Sequence, residues 1–151
     1  MAFRGQQEHS LDSKDRITIP ARFRAALSDG VVLSAGLDPC VDVYPLAGFA
    51  ALEENYLSGL SPMTRRSRML RRRFYSGSEE AELDSAGRLR LARSLLDHAA
   101  LSGGCTIVGA GDHLEIWGEE AWGSERDEFE AQASELAEGL ESPAAGGVER
   151  S

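Results

Sequence analysis

The sequence predicts an α+β fold, mainly β, in which two repeats form one pseudo-symmetric β-barrel with peripheral helices. Three observations predict it. A motif occurs twice, as Leu11-Asp12-Ser13-Lys14-Asp15-Arg16-Ile17-Thr18-Ile19 and as Leu83-Asp84-Ser85-Ala86-Gly87-Arg88-Leu89-Arg90-Leu91, at an offset of 72. Its context repeats as well. With one inserted residue, Val41-Asp42-Val43-Tyr44 falls on Leu114-Glu115-Ile116-Trp117, and Phe49 falls on Trp122. The apolar segments are also too short for either half to bury its own. Packing the halves together makes a small closed β-core, and the chain becomes its own pseudo-dimer.

Each half reads as turn, strand, helix, two strands flanking a loop, then helix. In Arg16-Ile17-Thr18-Ile19 alternation turns Ile17 and Ile19 to one side and Arg16 and Thr18 to the other, a pattern Arg88 and Arg90 repeat. Pro20 suits the first position of a helix through Phe23 to Leu27, with Ser94 to Leu101 as its counterpart. Val31-Val32-Leu33 and Cys40 to Tyr44 read as strands, stopped by Pro45. Thr106-Ile107-Val108 and His113 to Trp117 mirror them, with Gly109 and Gly111 marking the turn between. Phe49, Leu52 and Tyr56 lie on one helical stripe, and so do Trp122, Phe129, Ala133 and Leu136.

The domain reading is a first repeat over 5–57, an Arg-rich connecting helix over 58–76, a second repeat over 77–123, an acidic C-terminal helix over 124–141 and a disordered tail over 142–151. No apolar run reaches the roughly 20 residues of a membrane span, and no signal-peptide stretch opens the chain, so a soluble cytoplasmic protein is expected. Cys40 and Cys105 sit in strand contexts and read as reduced core residues.

A net charge of -9 argues against a nucleic-acid partner until it is located. From Asp112 onward 12 acidic residues face two arginines, while the preceding residues carry 14 basic and 13 acidic side chains. The acidity therefore belongs to the C-terminal segment. Arg65 to Arg73 holds six arginines in nine positions. It reads either as a phosphate-facing helix or as a solvated helix pairing with acidic helices of a neighbouring subunit.

Catalysis and cofactors find little support. His9, His98 and His113 lack metal-site spacing, and no phosphate-cradling loop or nucleophile turn is present, so neither a metal nor a cofactor is expected. Asp12 and Asp84 each precede an arginine by four positions, which keeps the carboxylate ionised and makes it a poor general acid.

A turn-strand segment with outward arginines suits a DNA groove. Arg16 and Arg88 can each donate two hydrogen bonds to guanine, worth about 1–3 kcal/mol of base discrimination. Lys14 suits phosphate, and Asp12 and Asp84 hold the turn and orient the arginine fork. The plainer alternative is a surface Asp-Arg bridge that only stabilises the turn.

At these residues the sequence resembles the MraZ family of bacterial transcriptional regulators, related to the AbrB and MazE swapped-hairpin proteins. The resemblance covers roughly residues 1 to 140. It rests on Phe3-Arg4-Gly5, on Leu11-Asp12-Ser13-Lys14 with Arg16 and Pro20, on Asp84 with Gly87-Arg88, and on Val108-Gly109 followed by Glu115-Ile116-Trp117. It implies two AbrB-like swapped-hairpin repeats around one barrel, assembly into a ring-shaped homo-oligomer, and a nucleoid-associated role. It also implies binding to G-rich direct repeats upstream of a division and cell-wall gene cluster, usually with repression. By position, the DNA-contacting motif falls on Asp12, Lys14 and Arg16, and on Asp84 and Arg88. Direct repeats suit a head-to-tail ring, which presents one surface at successive rotations. Two departures stand out. Asp15 stands where glycine is usual and is expected to survive the left-handed turn but to weaken phosphate contacts in the first half; a proline is usual near Arg93, which adds a charge to the second half in partial compensation. The competing function is an antitoxin-like interaction module in which the acidic segment Glu119 to Glu141 wraps a partner protein.

Overall fold

A computed structural model describes residues 2–140, so the expected disordered tail over 142–151 lies outside the described residues. They fall into two compact units, divided after Glu119.

The first unit contains all the strands. β1 (Gln6–Ser10), β2 (Arg16–Thr18), α1 (Ala21–Arg24), β3 (Val31–Ala35), β4 (Cys40–Pro45) and α2 (Leu46–Leu52) make the first half. After α3 (Arg65–Ser76), the second half follows as β5 (Ser78–Ala81), β6 (Arg88–Arg90), α4 (Arg93–His98), β7 (Gly104–Gly109) and β8 (Leu114–Gly118). The helix α5 (Glu119–Glu138) begins at the division between the units.

Six strands form one antiparallel sheet in the order β1-β7-β8-β4-β3-β5, and β2 and β6 form a separate ribbon. The halves interlock. β1 pairs with β7 and β5 with β3, so each half lends its opening strand to the other. The remaining strand pairings across the halves are centred on repeat mates: Ile17 opposes Leu89 in the ribbon, and Asp42 opposes Glu115 in the sheet. The pseudo-dyad runs through those two pairs.

The barrel expected from sequence is not closed. β1 and β5 are free sheet edges, and the β2–β6 ribbon joins neither of them by a ladder. Three-residue strands are too short to bridge two sheet edges. What closes the core is side-chain packing: Ile17, Ile19, Leu89 and Leu91 cluster with Val41, Val43, Leu114 and Ile116.

β1 and β5 escaped the apolar pattern because they have little of it. Gln6–Ser10 and Ser78–Ala81 are polar edge strands, held by ladder hydrogen bonds rather than by burial. The Phe49-Leu52-Tyr56 stripe also needs correction. α2 runs into a π turn, Glu53–Leu57, whose wider winding advances the phase by one residue. Leu57 is 2% exposed while Tyr56 is 72% exposed. In α5, Trp122 is buried and its ring lies 5.8 Å from Phe129, but Ala133 and Leu136 of that stripe are exposed. α4 begins one residue before the expected Ser94 and stops at His98, where Ala100 turns into the left-handed region at φ 51. Both cysteines are free and buried. Cys105 packs in the main core, whereas Cys40 lies on the opposite sheet face beside Asp42.

Candidate nucleic-acid interface

Both motif copies fold into the same turn. Asp12 accepts from the backbone N–H of Lys14 at 2.8 Å and of Arg16 at 3.0 Å through Oδ1, and from Arg16 Nε at 2.8 Å through Oδ2. Asp84 does the same with Ala86 at 2.9 Å, Arg88 at 2.9 Å and Arg88 Nε at 2.8 Å. Aspartate is the residue for this place because its short carboxylate reaches two backbone donors and a side chain together. Partial desolvation opposes ionisation of Asp12, but the Arg16 and Lys14 amides and the Arg16 side chain outweigh it and bring the carboxyl down to about 2. Asp84 is also lowered, chiefly by the Arg88 amide and, against some desolvation, by the Arg88 side chain and the Ala86 amide.

The turns are closed by a residue in the left-handed region, Asp15 at φ 58 and Gly87 at φ 77. Each carbonyl then crosses the pseudo-dyad: Leu91 N–H donates to Asp15 at 2.9 Å, and Ile19 N–H to Gly87 at 2.8 Å. Gly87 has a second reason to be glycine. The Arg24 side chain, donating from Nε to the Ile19 carbonyl at 2.8 Å, occupies the space a Cβ would take.

These turns deliver the arginines to one ribbon. Arg16 opposes Arg90, and Thr18 opposes Arg88, with Ile17 and Leu89 fully buried beneath. Arg16 and Arg88 are each tied through Nε, and their Nη atoms have no hydrogen-bond partner among the described residues. Like charges directly opposite one another across a strand pair are unfavourable without an anion. Lys14 is exposed at the ribbon's end. The geometry therefore offers preorganised donors at a two-stranded ribbon, the kind of element that fits a major groove.

Arg16 and Arg88 thus come onto one face of the ribbon across the pseudo-dyad, each bonded through Nε to Asp12 or Asp84, while Lys14 lies exposed in the turn before β2. Sequence reasoning missed Arg90 as the partner of Arg16, because strand pairing is not visible in alternation. It put the Arg93 charge in the second half, where α4 begins with that residue, but did not show what the side chain meets. That guanidinium adds its charge beside the first half's turn, 3.7 Å from Asp15, and a second carboxylate, Asp97, lies 3.9 Å away. The two departures from the resemblance are therefore neighbours.

The Arg-rich segment forms α3, started by Thr64, whose side chain accepts from the Ser67 N–H. Arg73 donates to the Ala35 and Gly36 carbonyls at 3.1 and 2.8 Å, so this arginine is structural. Arg65, Arg66, Arg71 and Arg72 remain exposed.

Interlocked repeats that exchange their opening strands and pair about a central dyad define a sheet-rich α/β protein of two repeats. The chain belongs to the MraZ family: residues 2–73 and 74–150 each match the family described as "MraZ protein, putative antitoxin-like". Among its relatives, the transcriptional regulator MraZ of Natranaerobius thermophilus is 40% identical over 137 residues, covering 90% of this chain and 94% of that one. Those of Lactobacillus johnsonii and Limosilactobacillus fermentum are 39% and 37% identical, each covering 92% of this chain and 96% of the relative.

Proposed function

We propose that this protein is a sequence-specific DNA-binding transcriptional regulator in which the β2–β6 ribbon enters the major groove. The observation that carries this reading is the facing of Arg16 by Arg90 and of Thr18 by Arg88 above a buried Ile17–Leu89 pair. Arg16 and Arg88 read guanine, Lys14 contacts phosphate, and Asp12 and Asp84 hold the donors in place. The sites are G-rich direct repeats upstream of its own division and cell-wall gene cluster, and binding represses that cluster. A cytoplasmic, nucleoid-associated homo-oligomeric ring matches successive repeats by presenting one ribbon per subunit.

Gel-shift titration against G-rich repeats and a scrambled duplex tests the reading. Arg16→Ala loses about 1–3 kcal/mol of discrimination, a fall in preference of about 5- to 150-fold. Asp15→Gly removes a carboxylate from the ribbon's edge, leaves Arg93 with Asp97 alone and tightens binding. Unchanged affinity and preference in Arg16→Ala would remove the proposed role of that residue.

A second reading rests on α5, whose residues from Ala131 on are exposed and include Leu136 at 55%. There the acidic C-terminal helix acts as an antitoxin-like docking segment for a partner protein. Deleting residues 124–151 separates the readings: a co-purifying protein lost with DNA binding retained supports the docking role.

A further inference from the structure

No side chain of α3 is buried. A helix of this length draws its stability from the face it packs, and one that packs none is marginal in water. Its charges add to the difficulty. Residues 61–76 hold six arginines and no acidic residue, so Arg65, Arg68 and Arg72 stand at three- and four-residue spacing with nothing on the helix to offset them. Among the described residues no ion pair joins an arginine of α3 to a carboxylate. The same surface is apolar in part. A groove of about 760 Å³ opens there, lined by Leu60, Arg66, Met69, Leu70 and Arg73 among others. Met69 is 51% exposed and Leu70 39%. Phosphate contact has no use for exposed apolar side chains, whereas a helix laid into a groove does.

α5 has the opposite character. Residues 131–140 are all exposed, and over 125–140 six carboxylates stand against the single Arg126. Phe129, Ala133, Leu136 and Leu140 recur at alternating steps of four and three, which makes an apolar seam. Glu128 and Glu135 border it on one side and Glu130 on the other.

We propose that α3 of one copy receives the 129–140 segment of a second copy. The seam of α5 covers Met69 and Leu70, and its carboxylates meet Arg65, Arg66 and Arg72. Both members of the complementary pair belong to this chain, so a second copy supplies what a foreign partner would have to bring. Because the two surfaces differ, each contact leaves one of each free, and copies add head to tail until a ring closes. The inference rests on the homo-oligomeric part of the proposed function and is independent of the reading of DNA by the ribbon.

Analytical ultracentrifugation of the full-length protein without DNA tests the contact. The wild type should sediment as an oligomer. Arg65→Glu/Arg66→Glu/Arg72→Glu and, separately, Glu128→Arg/Glu130→Arg/Glu135→Arg should each give single chains with native near-ultraviolet circular dichroism. An equimolar mixture of the two should recover the wild-type mass, since each carries the reversed partner of the other's reversed helix. Mixing cannot repair a contact made within one chain. Hydrogen exchange on the wild type needs no variant to fold, and amides of 65–76 and 129–138 should slow together, about tenfold or more, as concentration rises through assembly. The proposal is overturned by an oligomer that survives both reversals, by variants that mixing fails to restore, or by assembly that leaves α3 exchange unchanged. Lowered DNA affinity in the α3 variant with assembly intact would make α3 a phosphate face instead. A wild type that stays a single chain would remove the ring as well, but not the ribbon's reading of DNA, which gel shift measures separately.

Discussion

Asp12 and Asp84 each accept three hydrogen bonds, two from backbone and one from an arginine, and this makes the same short turn twice. Because the Asp12 carboxyl is held at about 2 against an ordinary 3.8, its contribution is complete above pH 4. It is lost as pH falls from about 4 through 2. Carboxyl-carbon NMR should therefore give Asp12 a midpoint near 2. In Arg16→Ala that midpoint should rise only part of the way to 3.8, since backbone donors remain. A midpoint near 3.8 in the wild type would show that the turn is not formed in solution. At this scale much of the candidate site was legible, because Asp-x-x-x-Arg is a local device whose partners are four residues apart. Arg24 over Gly87 and Arg93 beside Asp15 were not legible, since each lies across the pseudo-dyad from the residue it meets.

Among the elements, the β2–β6 ribbon shows how little length is needed when burial is complete. Its three-residue strands stay in place because Ile17 and Leu89 are fully buried, while their neighbours carry the cations outward. The helix after β4 illustrates the opposite case, where a periodic pattern misleads. Its first turns are regular, but the π turn over Glu53–Leu57 inserts extra winding, and the buried place passes from Tyr56 to Leu57. Leu57→Ala should cost about 2–5 kcal/mol in denaturant unfolding, as for other buried leucines. Tyr56→Ala should stay within about 0.5 kcal/mol. Equal costs for the two would restore the uninterrupted α-helical phase.

For the whole molecule, duplication is built into the hydrogen bonding. Among the described residues, four of the six strand pairings run between the halves, and only β3–β4 and β7–β8 lie within one. Residues 2–73 and 74–140 expressed apart should each fail to give a folded monomer, and mixing them should restore native near-ultraviolet circular dichroism. A half that folds alone as a monomer would contradict the interlocked pairing. The -9 net charge is the least informative number at this scale, because most of the acidic excess lies in α5 while the ribbon carries Arg16, Arg88 and Arg90.

The sequence by itself determined the repeat, the turn chemistry and the outward face of Arg16, Arg88 and Arg90, because each depends on residues close in the chain. The tertiary structure decided which strands pair and therefore which side chains meet. Polar edge strands such as Gln6–Ser10 and Ser78–Ala81 carry no burial signal, so their exchange between the halves had to be seen. The same is true of the open sheet in place of a closed barrel. Spacing along the chain also separates Cys40 and Asp42 from His113 and Glu115 by some 70 residues. Only the β4–β8 ladder, with Asp42 facing Glu115, brings them together.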